Sequence, residues 1–238
     1  MAPKDRLIIA LDVSRASEAQ NIVRKIGEAA SLYKVGKQLF TAEGPQVVRD
    51  LVSSGRKIFL DLKFHDIPNT VAGAVKSACD LGVSMLTVHA SGGTKMLRAA
   101  ADAVASSSSK PILLGVTVLT SFTDEDLQEL GSPVGVADQV VRLAGIALNA
   151  GCTGIVTSVH EASSVRRNLG EGFAIVTPGV RPAGAAVGDQ ARVATPSDAI
   201  RAGATHIVVG RPITSDANPA QAAQRIIEEM ESVLIPAR

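Results

Sequence analysis

The feature that most constrains this chain is an eightfold recurrence. Short runs of β-branched and aliphatic residues begin near Leu7, Leu32, Lys57, Ser84, Pro111, Thr153, Phe173 and Thr205, at steps of 25, 25, 27, 27, 42, 20 and 32 residues. Each step holds one strand, one loop and one helix. Strands alternating with helices imply parallel strands joined by right-handed crossovers. The 238 residues could by length hold one domain or two. Eight such units, with no second compositional block and no Pro- or Gly-rich linker, predict a single closed (β/α)8 TIM barrel, residues 1–238, as one domain. The runner-up is an open doubly wound sheet.

Apolar residues at three- and four-residue spacing predict helices over Ser17–Ile26, Gly44–Ser53, Thr70–Leu81, Lys95–Ala105, Val136–Ala150 and Pro219–Leu234. Gly27, Gly55, Gly82, Gly151 and Gly203 follow helical segments as C-terminal caps should. The tract Ser106–Ser109 reads as a solvated loop closing the fourth helix. Two connections are long: Leu119 to Val136, with a possible short helix over Asp124–Leu130, and Gly179–Thr195. Both follow strands, on the face where barrel enzymes build their sites.

Composition removes several functions. The net charge is +1, there is no basic run, and the chain has no Trp, one Tyr and five Phe. That leaves no electrostatic footprint for nucleic acid or an anionic membrane, and few rings on which bases could stack. No apolar run approaches the roughly 18 residues of a membrane span. The N-terminal MAPKDRLIIALDV has a short apolar core, Leu7 to Leu11, too short for a signal peptide. Cys79 and Cys152 form neither a disulfide framework nor a metal-ligand spacing and are expected to fill core space. A cytoplasmic globular protein with an aliphatic core follows.

Strand side chains alternate in direction, so the sequence maps the barrel interior. In the third strand Ile58, Leu60, Leu62 and Phe64 form the outward set, leaving Phe59, Asp61 and Lys63 inside. In the first, Leu7, Ile9 and Leu11 face out, leaving Ile8, Ala10 and Asp12 inside. Lys34 ends the second strand. Asp12, Lys34, Asp61 and Lys63 therefore converge on one end of an apolar barrel, where charges are costly unless paired. One buried pair would read as an ion-pair plug closing the barrel. Four charges at the functional end of three neighbouring strands read as a site, with a fixed cation able to give up a proton.

The eighth strand ends HIVVGRPI, placing Gly210 and Arg211 at the entry to a helix. With Pro178, Gly179 and Arg181 on the preceding long loop, this suggests a phosphate subsite, the plainer reading being a glycine turn with a solvated Arg. His65, His89, His160 and His206 show no ligand pattern and read as structural, although His89 and His160 lie near strand ends. Thr94-Lys95 lacks P-loop spacing, no dinucleotide fingerprint occurs, and Ser121 and Ser158 lack an evident triad partner.

Read whole, Asp61 to Thr70 is DLKFHDIPNT, which closely resembles the signature of the orotidine 5'-phosphate decarboxylase family. IALDV, YKVG, VHASGG, VTVLTS, TPGVRP and VVGRPI are similar, in order, to the bacterial branch. The resemblance implies decarboxylation of orotidine 5'-phosphate to UMP, the last step of de novo pyrimidine biosynthesis, with no cofactor and no metal. It implies Lys63 as proton donor to C6 of the pyrimidine and Asp61 beside the departing carboxylate. Lys34 and Asp66 would complete an alternating Lys–Asp–Lys–Asp array. Asp66 and Thr70 would reach the site of the other subunit of a homodimer. Asp12, helped by Lys34, would bind the ribose hydroxyls, and Thr120, with Ser121, would address the pyrimidine. Arg181, Gln190, Gly210 and Arg211 would hold the phosphate, with the Gly179–Thr195 loop folding over the ligand. A metal-dependent keto-sugar-phosphate decarboxylase or hexulose-phosphate synthase shares the Asp-x-Lys pair, but HDIPNT speaks against it. A catalytically silent nucleotide-binding barrel is the reading from another class.

Overall fold

A computed structural model describes residues 1–182 and 194–234. Its strands are β1 (Leu7–Ala10), β2 (Leu32–Gly36), β3 (Lys57–Phe64), β4 (Met85–His89), β5 (Ile112–Val116), β6 (Gly154–Val156), β7 (Ala174–Thr177) and β8 (His206–Val209). All neighbours are parallel, and β8 pairs with β1 to close the barrel in chain order. Each strand begins within one residue of the start expected from the sequence.

The closure follows from two apolar faces on each strand. Ile8, Ala10, Leu32, Phe59, Met85, Leu114, Val116, Val156, Val176 and Val208 form the cluster inside the barrel. Their alternates, among them Leu7, Ile9, Ile58, Leu60 and Leu86, pack outward against the helices. Phe59 is the one aromatic ring in the inner cluster. An eight-stranded interior is just wide enough for side chains to fill, which suits the aliphatic composition. Tyr33 lies in the outer layer, and its hydroxyl donates to the Ala30 carbonyl at 3.1 Å.

The helices are α1 (Ala16–Ile26), α2 (Lys37–Glu43), α3 (Gln46–Ser53), α4 (Pro68–Asp80), α5 (Gly93–Ala105), α6 (Asp124–Glu129), α7 (Val136–Asn149), α8 (Val159–Leu169), α9 (Pro196–Arg201), α10 (Arg211–Thr214) and α11 (Pro219–Leu234). The helix expected over Gly44–Ser53 is α3, starting at Gln46; α2, which ends at the Gly44-Pro45 break, was not expected. Gly44 takes φ +68 and its N–H caps the Phe40 carbonyl at 2.8 Å, while Pro45 can only begin the next helix. Helix α8 was not expected because its sequence is mostly polar; it buries Val159, Ala162 and Val165 on one narrow face. The Leu119–Val136 connection does contain the short helix, α6, held by a Thr123/Asp126 capping box. Across the other long connection, the Arg181 N–H donates to the Ala194 carbonyl at 2.9 Å. The Ser106–Ser109 tract is the expected exposed loop after α5, with Ser109 Oγ donating to the Cys79 carbonyl at 2.7 Å. Cys79 and Cys152 are both buried, and burial pushes the Cys152 thiol up to about 12. No described helix is long and apolar enough to cross a membrane.

Candidate active site

The centre of the site is an irregularity in β3. Leu60 pairs with Leu86 of β4, and the next matched pair is Phe64 with Val88, so β3 holds two more residues than β4 across that interval. Asp61, Leu62 and Lys63 lie inside this bulge. Lys63 takes φ +54, the one non-glycine residue with positive φ among the described residues. Left-handed backbone costs an L-residue free energy, so surrounding contacts must hold it. One such contact comes from Thr87 of β4, whose Oγ1 accepts the Lys63 N–H at 2.9 Å.

Four charges line up along the C-terminal rim of the first three strands. The Lys34 ammonium sits 2.9 Å from Asp12 Oδ1 and 3.9 Å from Asp61 Oδ2. Lys63 Nζ donates to both oxygens of Asp61, at 2.8 and 2.9 Å. The side chains of Lys34, Asp61 and Lys63 are 12%, 14% and 26% exposed, so solvent screens them only partly. Asp12 is open to solvent at the cavity rim. Gly36 makes room for Lys34: a Cβ at that position would lie 2.9 Å from Lys34 Nζ.

Two cavities meet at this row. One, of about 170 Å³, is lined by Lys34, Asp61, Lys63, Thr120 and apolar residues of the barrel interior, Phe59 and Val116 among them. The other, of about 300 Å³, is lined by Asp12, Lys34, Gly179, Arg181, Gly210 and Arg211. Lys34, Pro178 and Val208 border both, so the two form one elongated cleft. Arg181 is buried, and its Nε has no hydrogen-bond partner among the described residues. A buried guanidinium N–H without a partner, facing a cleft, suits an anionic ligand group.

Asp12, Lys34, Asp61, Lys63, Thr120, Arg181, Gly210 and Arg211 thus lie around a single cleft. Asp66 and Thr70 are exposed, just beyond β3 and in the first turn of α4. The Asp66 carboxylate accepts from the Ile67 N–H at 2.6 Å, and among the described residues it makes no ion pair with Lys63. Gln190 lies outside the described residues.

The histidines divide. His206 is buried at the opposite end of the barrel, with Nδ1 2.9 Å from Thr205 Oγ1, and burial, reinforced by Arg6, pushes it down to about 4. His160 is exposed in the first turn of α8. His89, ending β4, has its ring 5.4 Å from that of His65 at a tilt of 37°, and burial followed by the charges of His65 and Lys63 lowers it to about 4. Ser158 caps α8 and donates to Glu161, a structural role. The residues not singled out beforehand are Thr87 and Gly36. Extending strand alternation to β4 would have put Thr87 inside beside Met85; Gly36 gives no signal apart from the position of Lys34.

Chemically, the row can oppose negative charge developing on a carbon in the apolar cavity, while the second cavity takes an anionic tail. Residues 5–226 match the Orotidine 5'-phosphate decarboxylase / HUMPS family. The chain is 50% identical over 236 residues to an orotidine 5'-phosphate decarboxylase of Syntrophotalea carbinolica, covering 97% of each protein. It is 52% identical over 226 residues to that of Alkalilimnicola ehrlichii, covering 94% of this chain and 96% of the relative. The crystal structure of orotidine 5'-phosphate decarboxylase from Lactobacillus acidophilus superposes with a TM-score of 0.85 at 39% identity, covering 95% of this chain and 99% of that one.

Proposed function

The chain belongs to the Orotidine 5'-phosphate decarboxylase / HUMPS family and is a carboxy-lyase, and we propose that it works by preorganised charge, converting orotidine 5'-phosphate to UMP and CO2 without metal or organic cofactor. The observation that carries this reading is the Asp12–Lys34–Asp61–Lys63 row at the junction of an apolar cavity and an arginine-lined one.

The reaction breaks the bond between C6 and the carboxylate carbon. CO2 departs and the electron pair stays on C6, in the ring plane, with no adjacent carbonyl to delocalise it. The Lys63 ammonium faces the carbon where this charge develops, then gives it a proton; solvent returns a proton to the lysine. Asp61 holds Lys63 and lies beside the departing carboxylate. Lys34 bridges Asp61 to Asp12, and Asp12 binds the ribose hydroxyls. Thr120 faces the pyrimidine in the apolar cavity. Arg181, Gly210 and Arg211, with Gln190, bind the phosphate, whose remote binding energy can organise the site. Asp66 and Thr70 act on the neighbouring subunit's site in a homodimer, Asp66 completing the alternation beside Lys63. Their exposure supports this, as does Ile67 between them, an apolar side chain 67% exposed that a partner surface would cover. The protein is proposed to act in the cytoplasm as one catalytic domain over residues 1–238.

The test follows the ultraviolet absorbance change as orotidine 5'-phosphate becomes UMP, with and without EDTA. Turnover unaffected by EDTA is expected. Metal-dependent activity confined to keto-sugar phosphates would move the chain to the other branch of its family. Tight UMP binding without turnover would make it a silent nucleotide-binding barrel.

A further inference from the structure

We propose that Thr87 is a positioning residue that locks the Asp61–Lys63 pair into its working geometry. The inference rests on the proposed decarboxylase reading and adds to it a residue that touches neither substrate nor reacting atom.

Thr87 lies in the middle of β4, fully buried, facing the bulge of β3. Its hydroxyl makes two directed contacts. Oγ1 accepts the Lys63 backbone N–H at 2.9 Å and donates its single proton to Asp61 Oδ1 at 3.1 Å. Because the bulge takes Lys63 out of the β3–β4 ladder, its N–H would otherwise lack a partner there, and a buried N–H without a partner is costly. The same hydroxyl orients the carboxylate that Lys63 Nζ grips through both oxygens. One side chain therefore closes a ring: Lys63 backbone to Thr87, Thr87 to Asp61, Asp61 to Lys63 ammonium. Within this ring the left-handed backbone at Lys63 and the aim of its ammonium are set together. Such a site is sensitive to small shifts, since a displacement of about 1 Å in a reacting geometry can cost on the order of 100-fold in rate.

Thr87→Val keeps shape and burial but removes both hydrogen bonds; Thr87→Ser keeps the hydroxyl and removes the methyl. If Thr87 only fills space, Ser suffers at least as much as Val. If it positions the pair, Val lowers kcat by about 10- to 100-fold with KM nearly unchanged, and Ser stays within about threefold of the unmodified enzyme. The crystal structure of Thr87→Val is expected to show Lys63 out of the left-handed region or its ammonium away from Asp61. Should Thr87→Val not fold, Thr87→Ala set against Thr87→Ser makes the same comparison. Wild-type kcat in Thr87→Val, equal losses in Val and Ser, or an unmoved Lys63 in the variant structure would each overturn the proposal. Failure of the unmodified enzyme on orotidine 5'-phosphate would instead overturn the decarboxylase reading. In that case the variant structure alone still decides whether Thr87 holds Lys63.

Discussion

Replacing Lys63 by Ala removes the cation proposed to face the reacting carbon, and the geometry of the charge row gives the size of the expected loss. Lys63 Nζ lies 2.8 Å from Asp61 Oδ1, so in the proposed binding mode a substrate carboxylate beside Asp61 would put C6 within hydrogen-bond reach of the same ammonium. At about 3 Å and an effective dielectric of about 20, attraction between unit charges is about 5.5 kcal/mol. At about 1.4 kcal/mol per decade, that corresponds to roughly four orders of magnitude in rate. Loss of the proton donor would cost about 10²- to 10⁴-fold on its own. One group performs both tasks, so the two losses do not simply add. The expected result is a fall in kcat of at least about 10⁴-fold. The fold should survive. Ala at φ +54 carries the same backbone cost as Lys, and Asp61 keeps Lys34 at 3.9 Å and Thr87 at 3.1 Å. The partly exposed ion pair that is lost contributes about 1 kcal/mol at most. Absorbance assays give kcat, thermal unfolding checks the fold, and calorimetric titration with UMP checks that the cleft is intact. Turnover within about tenfold of the unmodified enzyme would refute the reasoning.

Three further outcomes follow from the same geometry. Gly36→Ala places a methyl 2.9 Å from Lys34 Nζ in backbone that any residue can adopt, so kcat is expected to fall by about tenfold while the melting temperature barely moves; unchanged kinetics would mean Lys34 needs no fixed position. Arg181→Ala deletes the buried guanidinium at the cavity proposed to take the phosphate, and charge-assisted hydrogen bonds of about 1.5–3 kcal/mol predict UMP binding about 10- to 100-fold weaker, with uridine binding little altered; equal effects on UMP and uridine would displace Arg181 from the phosphate. His206 is held down to about 4 in the fold against about 6.5 in the unfolded chain, so the unfolded state binds more protons between those values. Its contribution is complete above pH 6.5 and is lost as pH falls toward 4, on the order of 3 kcal/mol. Urea unfolding should show this slope, and His206→Gln should flatten it; identical slopes would contradict the assignment.

Much of the barrel could be read from residue order because two apolar faces per strand leave alternation little freedom. Ile8 and Ala10 inside, Leu7 and Ile9 outside, are set by period two alone. The same periodicity turned Asp61 and Lys63 inward, but for an incomplete reason. Lys63 reaches its place through a bulge and a left-handed backbone that no Gly or Asn announces, imposed by Thr87 from the neighbouring strand. Long-range contacts of this kind leave no local trace. Helix α8 escaped because its buried stripe is narrow, and α2 because Gly44-Pro45 draws attention to the break rather than to the turns before it. Arg181, Gly210 and Arg211 stood out because a phosphate subsite needs a cation and close backbone at adjacent strand ends, and they do line one cavity.

The most direct measurement of Lys63 as the acid at C6 uses the product. An ammonium that protonates C6 in the forward direction leaves a neutral amine that can remove that proton in reverse. Proton NMR of UMP in D2O with the unmodified enzyme should show the C6 hydrogen replaced by deuterium faster than without enzyme. With Lys63→Ala, exchange should fall to the enzyme-free rate. Equal exchange with both proteins would contradict the role given to Lys63, and with it the account of how this site works.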